Sequence, residues 1–150
     1  MDIDMGITMD IAIKNAIENA IENDGFIYCI IGCFIEKDNT IIRTCKIGKT
    51  EMKQSESSTL QSLLNRYSTY IPDCKIYKYI RVSDCHKAEN EIFEMLKKLN
   101  YKKEHFYWDE QLINNAFNDI KICYPDINTL IINSDINMIS NLNKQLREKV

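Results

Sequence analysis

Apolar residues recur along this chain at two periods, and the switches between them divide it into elements. Over residues 8–23, Met9, Ala12, Ile13, Ala16, Ile17, Ala20 and Ile21 return at three- and four-residue steps. Polar residues stand opposite, which predicts an amphipathic helix closed by the turn-forming Asn23-Asp24-Gly25. GFIYCIIGCFI (25–35), rich in β-branched and aromatic residues, predicts a buried strand. TIIRTCKIG (40–48) returns beyond a polar turn as its hairpin partner, and residues 49–57 are loop-like. A helix is expected next, capped by Ser57 or Ser58, with Leu60, Leu63, Leu64 and Tyr67 inward, until Pro72-Asp73 breaks it. KIYKYIRV (75–82) alternates apolar and basic residues and predicts a half-buried third strand. Asp84 caps a helix from about residue 85 to 99, whose stripe is Ala88, Ile92, Phe93, Met95, Leu96 and Leu99. EHFYW (104–108) predicts a short aromatic strand or turn, and Asp109 caps a helix through Leu112, Ile113, Phe117 and Ile120.

The pattern changes after Pro125. Positions 132, 136, 139, 143, 146 and 150 alternate four- and three-residue steps, a short heptad seam with Asn143 inside it. The expected organisation is therefore an N-terminal helix (1–23), a central domain (24–122) and a C-terminal helical tail (123–150). The two terminal helices offer apolar faces on which a homodimer could form.

Charge adds a second division. Residues 1–42 hold two bases against eight acids, residues 43–103 thirteen against seven, and residues 104–150 four against seven, which sums to the net charge of -3. A basic middle between acidic ends is the asymmetry expected of a phosphate-binding face. Lys49, Lys53, Lys75, Lys78 and Arg81 are its candidate nucleic-acid-binding residues. Six cysteines lack any C-x-x-C pair, and His86 and His105 are not at zinc-finger spacing. MDIDMGITMD is acidic and has no apolar core segment, so reduced thiols in a cytoplasmic or nuclear compartment are expected. No run is long and apolar enough to span a bilayer.

The same middle segment carries a set of groups suited to phosphodiester hydrolysis. Tyr28 lies on the first strand, Lys46 precedes Gly48 on the second, Arg66 is on the following helix and Glu89 on the helix after the third strand. A carboxylate can hold Mg²⁺ (or Mn²⁺), which polarises the phosphate, and a guanidinium can grip phosphate oxygens in pairs. A phenol becomes a base if a neighbouring cation lowers its pKa. Taken alone, each of these residues more often serves packing or stands as a solvated charge, and it is their order along the chain that points to chemistry.

GFIYCI, KIGKT, a helix bearing arginine, KAENEIFEML and EHFYW occur in that order, and together they resemble the GIY-YIG nuclease superfamily, in particular its phage and large-virus branch. The resemblance covers roughly residues 24–122. It implies an α+β fold with a small three-stranded antiparallel sheet flanked by helices, here with extra N- and C-terminal helices, in a virus-encoded protein. It also implies a divalent-metal-dependent endonuclease acting on DNA, with RNA as the other polymer such chemistry admits. Tyr28 would then be the general base, Lys46 the cation favouring the tyrosinate, Arg66 the phosphate ligand and Glu89 the metal ligand. The chain departs from the family pattern in three places. Thr69 and Tyr70 stand where some relatives have a histidine after the arginine. Phe93 replaces another histidine, and the connection between KIGKT and Arg66 is long and serine-rich. The alternative these departures favour is a module that keeps the fold and binds nucleic acid or protein without turnover.

Overall fold

The computed structural model describes residues 11, 12, 14, 15, 17, 18, 20–52, 55–126 and 128–132. The described residues between 11 and 23 are helical (α1). Then follow β1 (Gly25–Lys37), β2 (Thr40–Glu51), α2 (Glu56–Ser68), β3 (Lys75–Val82), α3 (Cys85–Met95), β4 (Asn100–Lys102), β5 (His105–Tyr107) and α4 (Glu110–Cys123). Residues 128–132 are again helical. Lys53 and the seam positions from Ile136 onward lie outside the described residues.

β1 and β2 form the hairpin on which everything else is laid. Asp38 (φ 53°) and Asn39 (φ 64°) make its two-residue turn, both in the left-handed region that aspartate and asparagine tolerate. β3 pairs with the outer side of β1 and β5 with the outer side of β2, giving the order β3-β1-β2-β5-β4, antiparallel throughout. The sheet therefore has five strands and not the expected three. β5 came from the aromatic run EHFYW. β4 is only three residues long, too short to show any alternation, and a turn at Lys103 (φ 47°) folds it back onto β5. The Asn100 amide closes that turn by donating to the carbonyls of Lys103 (2.7 Å) and His105 (3.1 Å).

Side chains alternate between sheet faces, and each face has its own helices. Ile27, Cys29, Cys45, Ile47 and Phe106 point to one face, where α3 (Cys85, Ala88, Ile92) and α4 (Ile113, Ala116, Phe117, Ile120) cover them. Tyr28 and Ile30 point to the other, where α2 supplies Leu63 and Tyr67. The first face carries the larger core, and the second is a smaller cluster under a single helix.

The helix starts are set by side-chain caps. Ser55, Asp84 and Asp109 accept from the amides of Ser58, Lys87 and Leu112 at 3.0–3.1 Å, so the cap of α2 is Ser55 rather than Ser57 or Ser58. β2 runs on through Glu51, into the stretch expected to be loop. Four inward assignments also fail among the described residues: Ala12 is exposed, as are Ile21 (63%), Met95 (42%) and Leu112 (47%), while Ala20, Leu96 and Ile113 take the buried positions beside the last three. All six cysteines are free, and Cys29, Cys45, Cys74 and Cys85 are buried as small core residues.

Gly48 answers to a close approach. A Cβ there would lie 2.6 Å from the Tyr28 hydroxyl oxygen and 2.9 Å from its ring carbon Cζ. The ring is buried between Gly48 and α2 and has no room to retreat. Gly48→Ala is expected to destabilise the fold by about 1–3 kcal/mol, the usual cost of overpacking, with a matching fall in the urea midpoint. An unchanged midpoint would mean that Tyr28 is not seated on Gly48.

Candidate active site

Tyr28 is 2% exposed, and its hydroxyl shares a hydrogen bond of 2.7 Å with that of Tyr67, one residue after Arg66 on α2. Lys46 stands on the same sheet face two positions before Gly48. Its ammonium lies 4.6 Å from the centroid of the Tyr67 ring and 3.5 Å from Glu104 Oε2. The Arg66 guanidinium lies 5.1 Å from the same ring. The structure thus brings Tyr28, Lys46 and Arg66 together, and the residue that joins them is Tyr67, marked in the sequence only as part of a helix's inner stripe. Two cations against one ring form a favourable arrangement because the face of an aromatic ring is negative.

These surroundings act on Tyr28 in a definite direction. Burial raises the phenol pKa most, followed by the hydrogen bond and proximity of Tyr67, while Arg66 lowers it and Glu104 raises it. The net effect is well above the ordinary tyrosine range, opposite in sign to the lowering expected from a direct Lys46–Tyr28 pair.

Glu89 is reached from the other face. Lys49 follows Gly48 in an unbroken stretch of the β1–β2 register, so its side chain points away from Tyr28 toward α3. There its ammonium lies 3.5 Å from Glu89 Oε1. His86, three residues before Glu89, pairs its Nε2 with Glu51 Oε1 at 3.0 Å. Between the two faces, the edge of β2 beyond β5 has no strand partner among the described residues. β5 pairs only with Thr44–Lys46, and the last outward contact is the Ile47 amide donating to the Glu104 carbonyl (3.0 Å). By the alternation of an antiparallel ladder, the Lys49 and Glu51 amides also point outward, beyond the end of β5.

A cleft of about 430 Å³ adjoins this edge, lined by Thr50, Glu51, Ser58, Thr59, Ser62, Leu63 and Arg66. Ser58, Ser62 and Arg66 succeed one another at four-residue steps on α2, so two hydroxyls and a guanidinium form one row along it. Among the described residues, no group of three or more His, Cys, Asp or Glu side chains is placed to hold a metal ion. A single carboxylate still suits Mg²⁺, which keeps several waters and completes its shell with substrate phosphate oxygens. Glu89, on α3, is tied to this region only through its pair with Lys49, the residue before the cleft-lining Thr50.

The candidate nucleic-acid-binding residues separate by partner. Arg81 is held by Asp24 through two hydrogen bonds (3.1 and 2.7 Å), and Lys49 by Glu89. Lys75 is exposed and Lys78 half-buried on the edge strand β3. Among the described residues, no helix is long and apolar enough to cross a membrane.

Residues 25–123 match the family model of the T5orf172 domain, and the chain belongs to that family. It is a phage-associated domain related to GIY-YIG and HNH-like nucleases, and membership is compatible with a nuclease or DNA-binding role. The match spans every element from β1 to α4. Neither a curated protein nor a solved structure gives a significant match.

The raised Tyr28 pKa makes the fold sensitive to base. A phenol whose folded pKa exceeds its ordinary value of 10.0 contributes stability that is complete below that value and is lost as the pH climbs through and above it. Between pH 8 and about pH 11, the urea midpoint of the wild type should therefore fall further than that of Tyr28→Phe, which has no proton to lose. Equal losses would show that Tyr28 ionises as freely in the fold as outside it.

Proposed function

We propose that this member of the family is a divalent-metal-dependent endonuclease of the GIY-YIG type that hydrolyses phosphodiester bonds of DNA. The observation that carries this reading is the convergence of Tyr28, Lys46 and Arg66 around Tyr67, directly beside the cleft that Arg66 lines. In the proposed complex a phosphate lies along the Ser58–Ser62–Arg66 row. Arg66, exposed at that row, binds two of its oxygens. Glu89 would hold a divalent cation at the open edge of β2, and that ion supplies polarisation of the phosphate and stabilisation of the leaving oxygen.

Tyr28 is the proposed base, and its raised pKa constrains how it works. Its hydroxyl is joined to that of Tyr67. The pair accepts a proton from the attacking water only after one of the two phenols has lost its own to solvent, and the shared hydrogen bond then lets the proton pass between them. The cations Lys46 and Arg66 both lie against the Tyr67 ring, and Arg66 lowers the Tyr28 pKa against the larger opposing effects of burial and Tyr67. Lys46 then assists the base through Tyr67. A nucleic-acid-binding module without turnover is the second reading, favoured by the burial of Tyr28 and by the neutralising Lys49–Glu89 pair.

Purified protein with Mg²⁺ or Mn²⁺ should nick supercoiled plasmid, and Arg66→Ala and Glu89→Gln should each slow nicking by about 100-fold or more. Arg66→Ala should keep the wild-type melting temperature because Arg66 is exposed. Glu89→Gln keeps the shape of a side chain only 14% exposed while giving up its charge pair with Lys49, so it should stay folded with a small fall in that temperature. Undiminished cutting by Glu89→Gln would remove Glu89 as the metal ligand. A folded wild type that never cuts but binds DNA with an affinity falling steeply with salt would establish the binding module instead.

A further inference from the structure

A second cavity opens on the Tyr28 face of the sheet, beyond Lys46 from the cleft. Its volume is about 370 Å³, within the range of small-molecule sites. Phe34 comes to it from the bulged end of β1, Thr44 from β2, Tyr70 from the turn after α2, Tyr101 from β4 and His105 from β5. The bulge is built by Gly32 at φ +105°, where a Cβ would meet the Asp73 carbonyl oxygen at 2.9 Å. Tyr70 is 80% exposed and Phe34 62% exposed, a large amount of aromatic surface left to water beside a concavity. Tyr101 lies against His105 (ring centroids 6.1 Å), so two rings line one side of the cavity, and Tyr107 backs Tyr101 at a tilt (4.8 Å, 32°).

We propose that this cavity is a nucleobase subsite that receives one unpaired base of the substrate strand, stacked on Tyr70 and Tyr101. The inference rests on the chain acting on nucleic acid, but it needs no turnover. Aromatic rings are the general means of holding bases in single strands, since every base has a π-face. The polar groups suit a base edge. Burial, with Lys46 and then Lys102 nearby, lowers the His105 pKa, so the imidazole is neutral at pH 7 and offers one donor and one acceptor. Thr44, also in the lining, is fully buried, and its Oγ1 has no hydrogen-bond partner among the described residues. A base edge entering as the lining side chains shift would supply one.

Position ties the subsite to the phosphate row. His105 is the register partner of Lys46, one strand spacing away on the same face. Tyr70 follows Arg66 by four residues, about one helical turn on along the chain leaving α2. A nucleotide whose phosphate meets Arg66 or Lys46 can therefore extend its base, or that of its neighbour, into the cavity. A base in an intact duplex cannot enter, because its faces are stacked and its edge is paired. The favoured substrate is thus single-stranded or locally unpaired.

Fluorescence anisotropy in EDTA tests this without cleavage, using the full chain and a labelled single-stranded 12-mer, the duplex of the same sequence, and a 12-mer bearing abasic sites. Tyr70→Ala should weaken binding of the single strand about tenfold, leave duplex binding unchanged, and bring the intact strand down to the affinity of the abasic one. Tyr70→Phe should restore the wild-type value, because stacking needs the ring and not the hydroxyl. Tyr70 is exposed, so the variant folds, and its melting temperature verifies this. Equal affinity of wild type and Tyr70→Ala for the intact strand overturns the subsite, as does a wild type that binds no single strand. Competition by a mononucleotide as effective as the 12-mer would also overturn it, making the cavity a free-nucleotide site. If plasmid cutting fails while Tyr70 still separates single strand from duplex, the nuclease reading falls and the subsite stands. If cutting succeeds and Tyr70→Ala binds every form like the wild type, the subsite alone falls.

Discussion

The alternation of side chains along the β1–β2 hairpin is the constraint from which the rest of this molecule follows. Adjacent residues must face opposite ways, so Ile27 and Ile47 enter the large core while Tyr28 and Gly48 enter the small one. Slipping the register by one residue would exchange the two sets, putting a phenol into an all-apolar core and an isoleucine over Tyr67. The seating of Tyr28 on Gly48 resists such a slip, since no other residue type leaves room for the ring. The candidate site inherits its division from the same rule: Lys46 belongs to the Tyr28 face, and Lys49, three residues on, to the face of Glu89.

That division explains what the sequence did and did not disclose. The hairpin, the third strand and the capped helices were legible because each is long enough to show a period or carries an aspartate at its start. β4 was hidden by its length, and the extension of β2 through Glu51 by its polar residues, which are acceptable in a strand whose outer edge is open to water. The order of Tyr28, Lys46, Arg66 and Glu89 could be read along the chain, whereas the gathering of the first three around Tyr67, with Glu89 on the other face, could not. Nothing in the spacing tells Tyr67 apart from any other inward helix residue, and its hydroxyl bond to Tyr28 spans 39 positions of chain. The exposed Ile21 and Leu112 show the limit of periodicity: it finds an apolar stripe without saying which margin of the stripe is covered.

Electrostatic pairing reshapes the charge seen in the sequence. The basic middle contributes less free positive potential than its count suggests, because Arg81, Lys49 and Lys46 each hold an acidic partner. Arg66 differs from these in being exposed, at the cleft, and next to a ring rather than a carboxylate. In a chain with a net charge of -3, attraction of a polyanion then depends on local arrangement more than on bulk charge.

The open stretch of β2 beyond β5 has a cost of a different kind. Outward amides at the rim of a sheet are a template on which a foreign strand can add, and a chain with such a rim is at risk of clumping at high concentration. Here the rim residues are Lys49, Thr50 and Glu51, two of them charged and of opposite sign. A partner strand laid along them would have to strip water from both charges, which discourages casual pairing while leaving the approach free for smaller polar groups. Replacing those charges to tighten the cleft would therefore trade colloidal behaviour for affinity, and any engineering of this region has to be judged on solubility as well as on binding.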